Sequence, residues 1–295
     1  MSQAFTPTLA RVGQERFASI NALLNETLAA HRPLIVAHRG APRGAIRENT
    51  LRGVIATRNI GADMAEIDIV RSADGEYFTF HDGYEPARLN EPRKLGELSS
   101  AEISQLCYND FEGISFGRVE PTSYILHSMP RMLINIDRSW RYWDGFLDWL
   151  DQFGLEEQLV MKSRTDAEYV NLLREHAVKF MYMAMVENVE QVHELEALAR
   201  DPELNLVGVE LMVHDADHTE FLDRGVFDYL HGLGLYTLVN AMDLGNGYRG
   251  FGGLDDDTSI LEGPEAGWGR IVDGYGVDMI QTDWPEMLRE WRDGR

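Results

Sequence analysis

The fold can be read outward from residues 63–82, which have the sequence DMAEIDIVRSADGEYFTFHD. Its first part, residues 63–69, begins with Asp63 and is a short apolar run that carries two further acids, Glu66 and Asp68. Similar apolar runs recur along the chain at residues 34–37, 132–137, 159–162, 180–186, 206–212, 235–240 and 277–282. Such runs are typical of parallel strands that are covered on both faces.

Helical patterns lie between most of these runs, at residues 51–59, 143–153, 166–176, 189–200 and 219–233. Eight buried strands separated by helices predict an α/β fold, a (β/α)8 barrel, whose active site lies at the C-terminal ends of the strands. A doubly wound sheet is the competing architecture, but polar residues at so many strand ends favour the barrel. We predict a barrel domain over residues 34–295, preceded by an N-terminal flanking helix within residues 1–33. Its amphipathic part spans residues 15–30.

Two insertions interrupt this alternation of strands and helices. After the second strand, Asp74-Gly75 and the arm at residues 77–80 predict a small β-hairpin. Pairing residues whose numbers sum to about 149 places His81 opposite Asp68, within a residue or two. The second insertion, residues 242–270, precedes the eighth strand and holds eight glycines. A long glycine-rich segment at this end of a barrel is typical either of a lid or of surface decoration.

The acids of the second strand predict a metal site. Glu66 and Asp68 are two residues apart, so their side chains point to the same side of the strand. Two acids held together repel each other unless a cation lies between them. A third acid, Asp137, ends the next barrel strand. One hard divalent cation, Mg²⁺ or Ca²⁺, would suit these oxygen ligands.

Two histidines accompany the acids. His38 follows the strand at residues 34–37, and the hairpin returns His81 to the same rim. Two histidines can act as general base and general acid on opposite sides of a phosphorus centre. Arg39 and Lys162 are candidate phosphate contacts, because both are cations that bind phosphate oxygens. The alternative is that either one forms a salt bridge at the rim.

Composition narrows the function further. The net charge is −22 over 295 residues, and such a surface repels nucleic acid and anionic lipid. Cys107 is the single cysteine, so no intramolecular disulfide can form. Residues 1–10 have no basic start followed by an apolar run, and no segment approaches the roughly 20 apolar residues of a spanning helix. We expect a soluble, cytoplasmic protein that binds a small molecule, and neither nucleic acid nor membrane; the sequence does not indicate an oligomeric state.

The motifs and their order resemble the glycerophosphodiester phosphodiesterases, metal-dependent barrels related to phosphatidylinositol-type phospholipases C and spider-venom phospholipases D. The resemblance covers nearly the whole chain after residue 33. It rests on Val36-Ala37-His38-Arg39-Gly40, Glu48-Asn49-Thr50, Gly61-Ala62-Asp63, Glu66-Ile67-Asp68, Asp74-Gly75, His81-Asp82, Leu95-x-Glu97-Leu98-Ser99, Pro121-Thr122 and Gly276-Val277-Asp278-x-Ile280-x-Thr282-Asp283-x-Pro285. The resemblance implies that His38 and His81 are the acid–base pair, Glu66 and Asp68 metal ligands, and Arg39 a phosphate contact.

The third ligand departs from the family pattern, in which it is the acid of an Ile-Glu-Ile-Lys run. The matching stretch here is Asn135-Ile136-Asp137-Arg138, which makes Asp137 the ligand and puts Ser139 in place of the lysine. If Asn135 is aligned with the acid instead, Asp137 replaces the lysine. We prefer the first alignment, in which Lys162 on the next strand could supply the missing positive charge.

The expected reaction is hydrolysis of a soluble phosphodiester to an alcohol and a phosphomonoester, either directly or through a cyclic phosphate. Gly83-Tyr84-Glu85-Pro86 replaces the family's acid-rich, threonine-containing loop, so an opine-type sugar phosphodiester is an alternative substrate to a glycerophosphodiester of lipid metabolism. Trp284 and Glu210 are candidate substrate contacts, and Trp268 either stacks on a sugar or packs internally. The rival functions are a non-catalytic phosphate-binding barrel and, disfavoured by the charge, a membrane phospholipase.

Overall fold

Eight parallel strands close into a barrel in the computed structural model, which describes residues 11–109, 117–128, 131–213, 220–244 and 249–295. The barrel strands are β1 (Leu34–Ala37), β2 (Met64–Arg71), β5 (Leu133–Asp137), β6 (Leu159–Arg164), β7 (Met181–Val186), β8 (Leu206–Leu211), β9 (Tyr236–Asn240) and β10 (Met279–Thr282). Two short antiparallel strands, β3 (Tyr77–Thr79) and β4 (Glu120–Pro121), extend β2. The barrel closes because β1 pairs with both β2 and β10. The predicted (β/α)8 barrel is confirmed.

Helices connect the strands and cover the outside of the barrel. They are α1 (Ala22–Ala30), α2 (Leu51–Asn59), α3 (Glu85–Leu89), α4 (Ser100–Ile103), α5 (Thr122–Ser128), α6 (Trp143–Asp151), α7 (Ala167–Glu175), α8 (Val189–Ala199), α9 (Arg224–Gly232), α10 (Asp256–Leu261) and α11 (Pro285–Asp293). Helix α9 begins at Arg224, later than predicted, because the Asp223 side chain caps it by accepting from the Gly225 amide. Among the described residues, no helix has the length and apolar character to cross a bilayer.

Each barrel strand has two largely buried faces, because successive side chains point alternately into the barrel and toward the helices. Side chains that point outward pack under the helices; Ile35, Ala65 and Ile134 are examples. Side chains that point inward from the first part of the strands fill the N-terminal end of the barrel. This inner cluster comprises Leu34, Val36, Met64, Leu133, Val160, Met181, Met183, Val207, Tyr236, Leu238 and Met279.

The N-terminal segment closes that end of the barrel. The prediction of one helix over residues 15–30 was wrong: a 3₁₀ turn at Glu15–Phe17 precedes α1. The break lies at Asn21, whose buried side chain exchanges two hydrogen bonds with that of Asn205. Leu24 and Leu28, both fully buried on α1, pack against the inner cluster. The segment therefore acts as a plug of apolar side chains.

The strand pair β2–β3 returns the chain toward the C-terminal rim of the barrel. Ile69 pairs with Thr79, and the paired numbers sum to 148. Phe80 therefore lies opposite Asp68, and its amide donates to the Asp68 carbonyl at 3.1 Å. His81 follows immediately, one residue from the predicted register.

The glycine-rich insertion (residues 242–270) packs on the ends of β9 and β10. Its described part contains the 3₁₀ turn Gly250–Gly253 and helix α10, and is followed by a π-helical turn at Arg270–Tyr275. A Cβ atom at Gly267 would lie 2.1 Å from the Ser259 hydroxyl oxygen, so glycine permits this close approach. His214 and His218, which follow the predicted strand at residues 206–212 and would face the same end of the barrel, lie outside the described residues.

Candidate active site

A cavity of about 600 Å³ opens at the C-terminal ends of the barrel strands. It brings together both predicted histidines, the three predicted metal ligands, Arg39 and Glu210. Its charged and polar lining consists of His38, Arg39, Glu66, Asp68, His81, Asp137, Arg138, Arg141, Arg164, Asp166, Glu187, Glu210 and Gln281. Two of the predicted site residues, Lys162 and Trp284, do not belong to that lining.

Three carboxylates meet in this cavity. One oxygen each from Glu66, Asp68 and Asp137 lies within 4.8 Å of the others. Asn49 holds Asp68 at two points: its amide nitrogen donates to the carboxylate at 2.8 Å, and its oxygen accepts from the Asp68 amide at 2.8 Å. Burial, together with the charges of Asp68 and Asp137, raises the pKa of Glu66 well above its usual range. A divalent cation would relieve this repulsion, so the three residues fit a hard metal ion.

The loop after β1 turns its backbone toward these carboxylates. Arg39, Gly40 and Ala41 all have positive φ angles, which produce a sharp bend. The bend rests on α2, where a Cβ at Gly53 would approach the Gly40 carbonyl oxygen to 2.4 Å. Glycine at position 53 therefore lets the loop settle close to the helix. In this conformation the Arg39 amide donates to Glu66 at 2.7 Å.

Lys162 lies beneath the cavity between two carboxylates. Its ammonium is 2.7 Å from Asp137 and 2.8 Å from Glu210, and its side chain is 1% exposed. Burial alone would lower the pKa of Lys162, but Asp137 and Glu210 outweigh it and raise that pKa. The lost lysine position, Ser139, is buried and accepts a hydrogen bond from Trp143. Lys162 thus brings a positive charge to Asp137, and its contact with phosphate stays a prediction.

His38 is held by Asp283, a residue of the last sequence motif for which the sequence pattern indicated no role. Its Nδ1 lies 2.9 Å from Oδ1 of Asp283, and its backbone amide donates to the Thr282 carbonyl at 3.2 Å. Burial would raise the pKa of Asp283, but the contact with His38 and the charges of Arg39 and Arg43 together outweigh it and lower that pKa. The register of β1 with β10 pairs Ala37 with Thr282, so residues 38 and 283 emerge side by side. Aligning the ends of these two strands would have revealed the pair.

His81 faces a different partner. Its Nδ1 lies 2.9 Å from the Asp82 carbonyl oxygen. A carbonyl only accepts, so Nδ1 carries the proton and Nε2 is left for proton transfer. The ring meets Tyr84 edge-on, with 4.8 Å between centroids. Burial, aided by Arg39 and Arg138 and opposed by Asp68, lowers the pKa of His81 and favours its neutral form.

Arginines form the positive side of the cavity. Arg39 lies 3.3 Å from Glu48 and 3.6 Å from Asp68, and its guanidinium stacks over Tyr84 at 4.8 Å. Tyr84 belongs to the stretch that departs from the family pattern, so that departure supplies the ring packed on both Arg39 and His81. Arg138 and Arg141, which the sequence did not single out, both donate to Asp82. The sequence signal for them was two arginines, three residues apart, directly after the end of strand β5.

The aromatic candidates lie away from the cavity. Trp268 is completely buried, and its indole NH donates to Asp256 at 2.9 Å. It packs internally, so the alternative of sugar stacking is wrong. Trp284 is 39% exposed and stacks with Arg43 at 5.0 Å. From the glycine-rich insertion, Met242 and Leu244 reach the cavity wall.

Two family models match separate parts of the chain. The glycerophosphoryl diester phosphodiesterase family matches residues 38–124, which carry the histidines and two of the three carboxylates. A domain of unknown function matches residues 180–292, which carry Asp283 and the glycine-rich insertion. The glycerophosphodiester phosphodiesterase of Bacillus subtilis (strain 168) is 23% identical over 274 residues, which cover 90% of this chain and 89% of that protein.

Solved structures share the fold across most of the chain. A glycerophosphoryl diester phosphodiesterase from Parabacteroides distasonis superposes with a TM-score of 0.71 at 18% identity, covering 97% of this chain and 94% of its own. A phosphodiesterase from Oleispira antarctica, in complex with the product sn-glycerol-3-phosphate, gives a TM-score of 0.65 at 17% identity, covering 90% of this chain and 99% of its own. At these identities the likeness establishes a common barrel architecture.

Proposed function

Because the chain belongs to the glycerophosphoryl diester phosphodiesterase family, we propose that it hydrolyses a soluble, glycerophosphodiester-like phosphodiester to an alcohol and a phosphomonoester. The observation that carries this proposal is the meeting of His38, His81 and three carboxylates in one cavity. The Bacillus relative is named for this activity, and the Oleispira structure holds a phosphomonoester as its product.

Glu66, Asp68 and Asp137 would hold one divalent cation, Mg²⁺ or Ca²⁺. When bound, such a cation polarises the phosphoryl oxygens and offsets the charge that develops in the transition state. The protein's own part is to fix the carboxylates in place. Asn49 orients Asp68 through two hydrogen bonds, and Lys162 holds Asp137 at 2.7 Å.

The two histidines would divide the proton transfers. In both rings Nδ1 is engaged, by Asp283 in His38 and by the Asp82 carbonyl in His81, so Nε2 is the working atom. One histidine takes the proton of the attacking oxygen, which belongs to water or to a substrate hydroxyl. The other donates a proton to the leaving alcohol. Arg39 lines the cavity beside them and would contact the phosphate.

A sugar phosphodiester of the opine type is the second substrate candidate. The observation in its favour is that the glycine-rich insertion supplies Met242 and Leu244 to the cavity wall. Glu210, which lines the cavity, would contact an alcohol group. Trp284, which stacks with Arg43 and is not part of the lining, is a second candidate contact.

Turnover of soluble phosphodiesters with and without metal tests the proposal. The purified protein should hydrolyse bis-p-nitrophenyl phosphate and release phosphomonoester from glycerol, inositol or sugar phosphodiesters. EDTA should abolish both reactions, and Mg²⁺ or Ca²⁺ should restore them. Asp68→Asn should lose the metal-dependent rate, whereas the exposed Asp144→Asn should keep it. Turnover that ignores chelation would exclude the metal, and no turnover of any substrate would favour a non-catalytic binding barrel.

A further inference from the structure

Asp256 connects the glycine-rich insertion to the end of strand β10. It begins helix α10, and only 3% of its surface is exposed. Its carboxylate accepts three hydrogen bonds: from the Trp268 indole at 2.9 Å, the Thr282 hydroxyl at 2.8 Å and the Asp283 amide at 2.8 Å. The last two donors belong to Thr282, which pairs with Ala37 across β1 and β10, and to Asp283, the next residue.

The peptide groups of Asp283 are thereby held from two sides. Asp256 accepts from the amide of Asp283, and the Arg43 guanidinium donates to its carbonyl. The side chain of Asp283 in turn contacts Nδ1 of His38 at 2.9 Å. A small displacement of the Asp283 backbone would consequently break or lengthen the contact that orients the His38 ring.

We propose that Asp256 is a positioning residue, which fixes the Asp283 backbone and through it the orientation and tautomer of His38. The glycine-rich insertion then contributes to the reaction indirectly: its Asp256 holds Asp283, and Asp283 orients the His38 ring. The effect on turnover rests on the proposed function, whereas the effect on the His38 ring does not.

The chemistry of the three donors requires a carboxylate at position 256. Two oxygens accept three hydrogen bonds here, and each donor points at an oxygen. An asparagine of the same shape has one acceptor oxygen, and its NH₂ group would face a donor. Asp256→Asn therefore loses at least one of these bonds and leaves a buried donor unsatisfied.

The neighbouring Asp255 offers a matched control. It is also buried, binds Arg249 through two hydrogen bonds of 2.9 and 2.8 Å, and caps α10 through the Thr258 amide at 2.8 Å. Its side chain holds the same insertion, and none of its hydrogen bonds or ion pairs among the described residues is to β10. If the insertion only needs a tether, Asp255→Asn and Asp256→Asn should have the same effect on activity.

The experiment compares kcat, KM and the His38 tautomer in the two variants. Asp256→Asn should lower kcat about 10-fold or more with KM nearly unchanged, since a misplacement near 1 Å can cost up to about 100-fold. Nitrogen-15 NMR of labelled histidine should show less of the Nδ1–H tautomer of His38. Asp255→Asn should keep both the wild-type kcat and the wild-type tautomer, although its melting temperature falls.

Two outcomes would overturn the proposal: a wild-type tautomer in Asp256→Asn, or equal loss of kcat in both variants. If Asp256→Asn does not fold at the assay temperature, Arg43→Gln removes the other contact to the Asp283 backbone, from a side chain that is partly exposed. An unchanged tautomer in Arg43→Gln would then count against the proposal. The NMR signal needs no turnover, so a protein that cleaves no phosphodiester refutes the proposed function and leaves the positioning test intact.

Discussion

The two ends of the barrel interior differ sharply although the same strands build both. On β2 the inward side chains are Met64, then Glu66 and Asp68, and on β6 Val160 is followed by Lys162. Residues two apart on a strand are separated by about 7 Å. On these two strands the change from apolar to charged side chains therefore occurs within two residues.

This difference separates stability from function along each strand. At the N-terminal end, Leu24 and Leu28 of α1 complete an apolar cluster that has no chemistry to perform. At the C-terminal end, several buried charges contact one another: Lys162 holds Asp137 and Glu210, and Arg39 holds Glu48. Substitutions at the N-terminal end should therefore change the free energy of unfolding but not turnover. Substitutions at the C-terminal end should change turnover but not the free energy of unfolding.

The largest expected effect is at the functional end. His81→Ala should lower kcat by about 100- to 10,000-fold, the usual contribution of a general acid or base. Its melting temperature should stay near wild type, because the ring makes one hydrogen bond to a backbone carbonyl. The exposed His193→Ala serves as the matched control and should keep full activity. Turnover close to wild type in His81→Ala would remove the acid–base assignment.

Lys162 should not follow this separation, because its charge lies at the functional end and should also contribute to stability. Lys162→Met leaves Asp137 and Glu210 as buried carboxylates without their cation, and it should lower the free energy of unfolding in EDTA by about 3–5 kcal/mol. Added Mg²⁺ or Ca²⁺ should stabilise this variant more than wild type, because the ammonium no longer repels the cation. Urea unfolding with and without metal measures both changes. Equal metal stabilisation in the two proteins would argue against metal binding at Asp137.

The sequence predicted those features that depend on local pattern. Eight apolar runs predicted the barrel, and the Asp74-Gly75 turn predicted the return of His81 to within one residue of its observed register. Both succeed because buried parallel strands and tight turns follow from neighbouring residues alone. The spacing of Glu66 and Asp68 likewise placed both carboxylates in the cavity, since side chains two apart share a face of the strand.

Contacts between segments that are distant along the chain could not be predicted from local sequence patterns. The pairing of His38 with Asp283 spans 245 residues and depends on the register of β1 with β10. The break of the N-terminal helix depends on Asn205, which is 184 residues from Asn21. Trp268 could not be placed in the interior without knowing that Asp256 would meet its indole. Each of these outcomes is decided by tertiary packing rather than by local propensity.

A smaller effect on stability is expected from the plug at the N-terminal end. Leu24→Ala removes a completely buried side chain from the inner cluster and should lower the free energy of unfolding by about 3 kcal/mol. Because the plug lies at the opposite end of the barrel from the cavity, kcat at 25 °C should not change. Leu261→Ala, at a site that is 82% exposed, is the control and should alter neither quantity. A marked loss of kcat in folded Leu24→Ala would show that the two ends are coupled.

The smallest effect concerns Asp256, whose buried carboxylate should lower the stability of the protein when it is ionised. Burial raises its pKa from the ordinary 3.8 to about 6, although its three hydrogen-bond donors oppose that rise. The folded chain therefore binds this proton more readily than the unfolded chain does. The free energy of unfolding of wild type, relative to Asp256→Asn, should fall as the pH rises from about 4 to 6, and stay level above about 7.

A shift of this size corresponds to a fall of about 3 kcal/mol at most. Urea unfolding of both proteins in EDTA at pH 4, 5, 6 and 7 gives the difference directly, and a difference that rises with pH would contradict the shift. Near neutral pH the carboxylate is then ionised in a buried position that costs stability. The buried, ionised carboxylate of Asp256 therefore does not serve the stability of the fold. Its role is better explained by the positioning of His38, because its oxygens hold the backbone of Asp283.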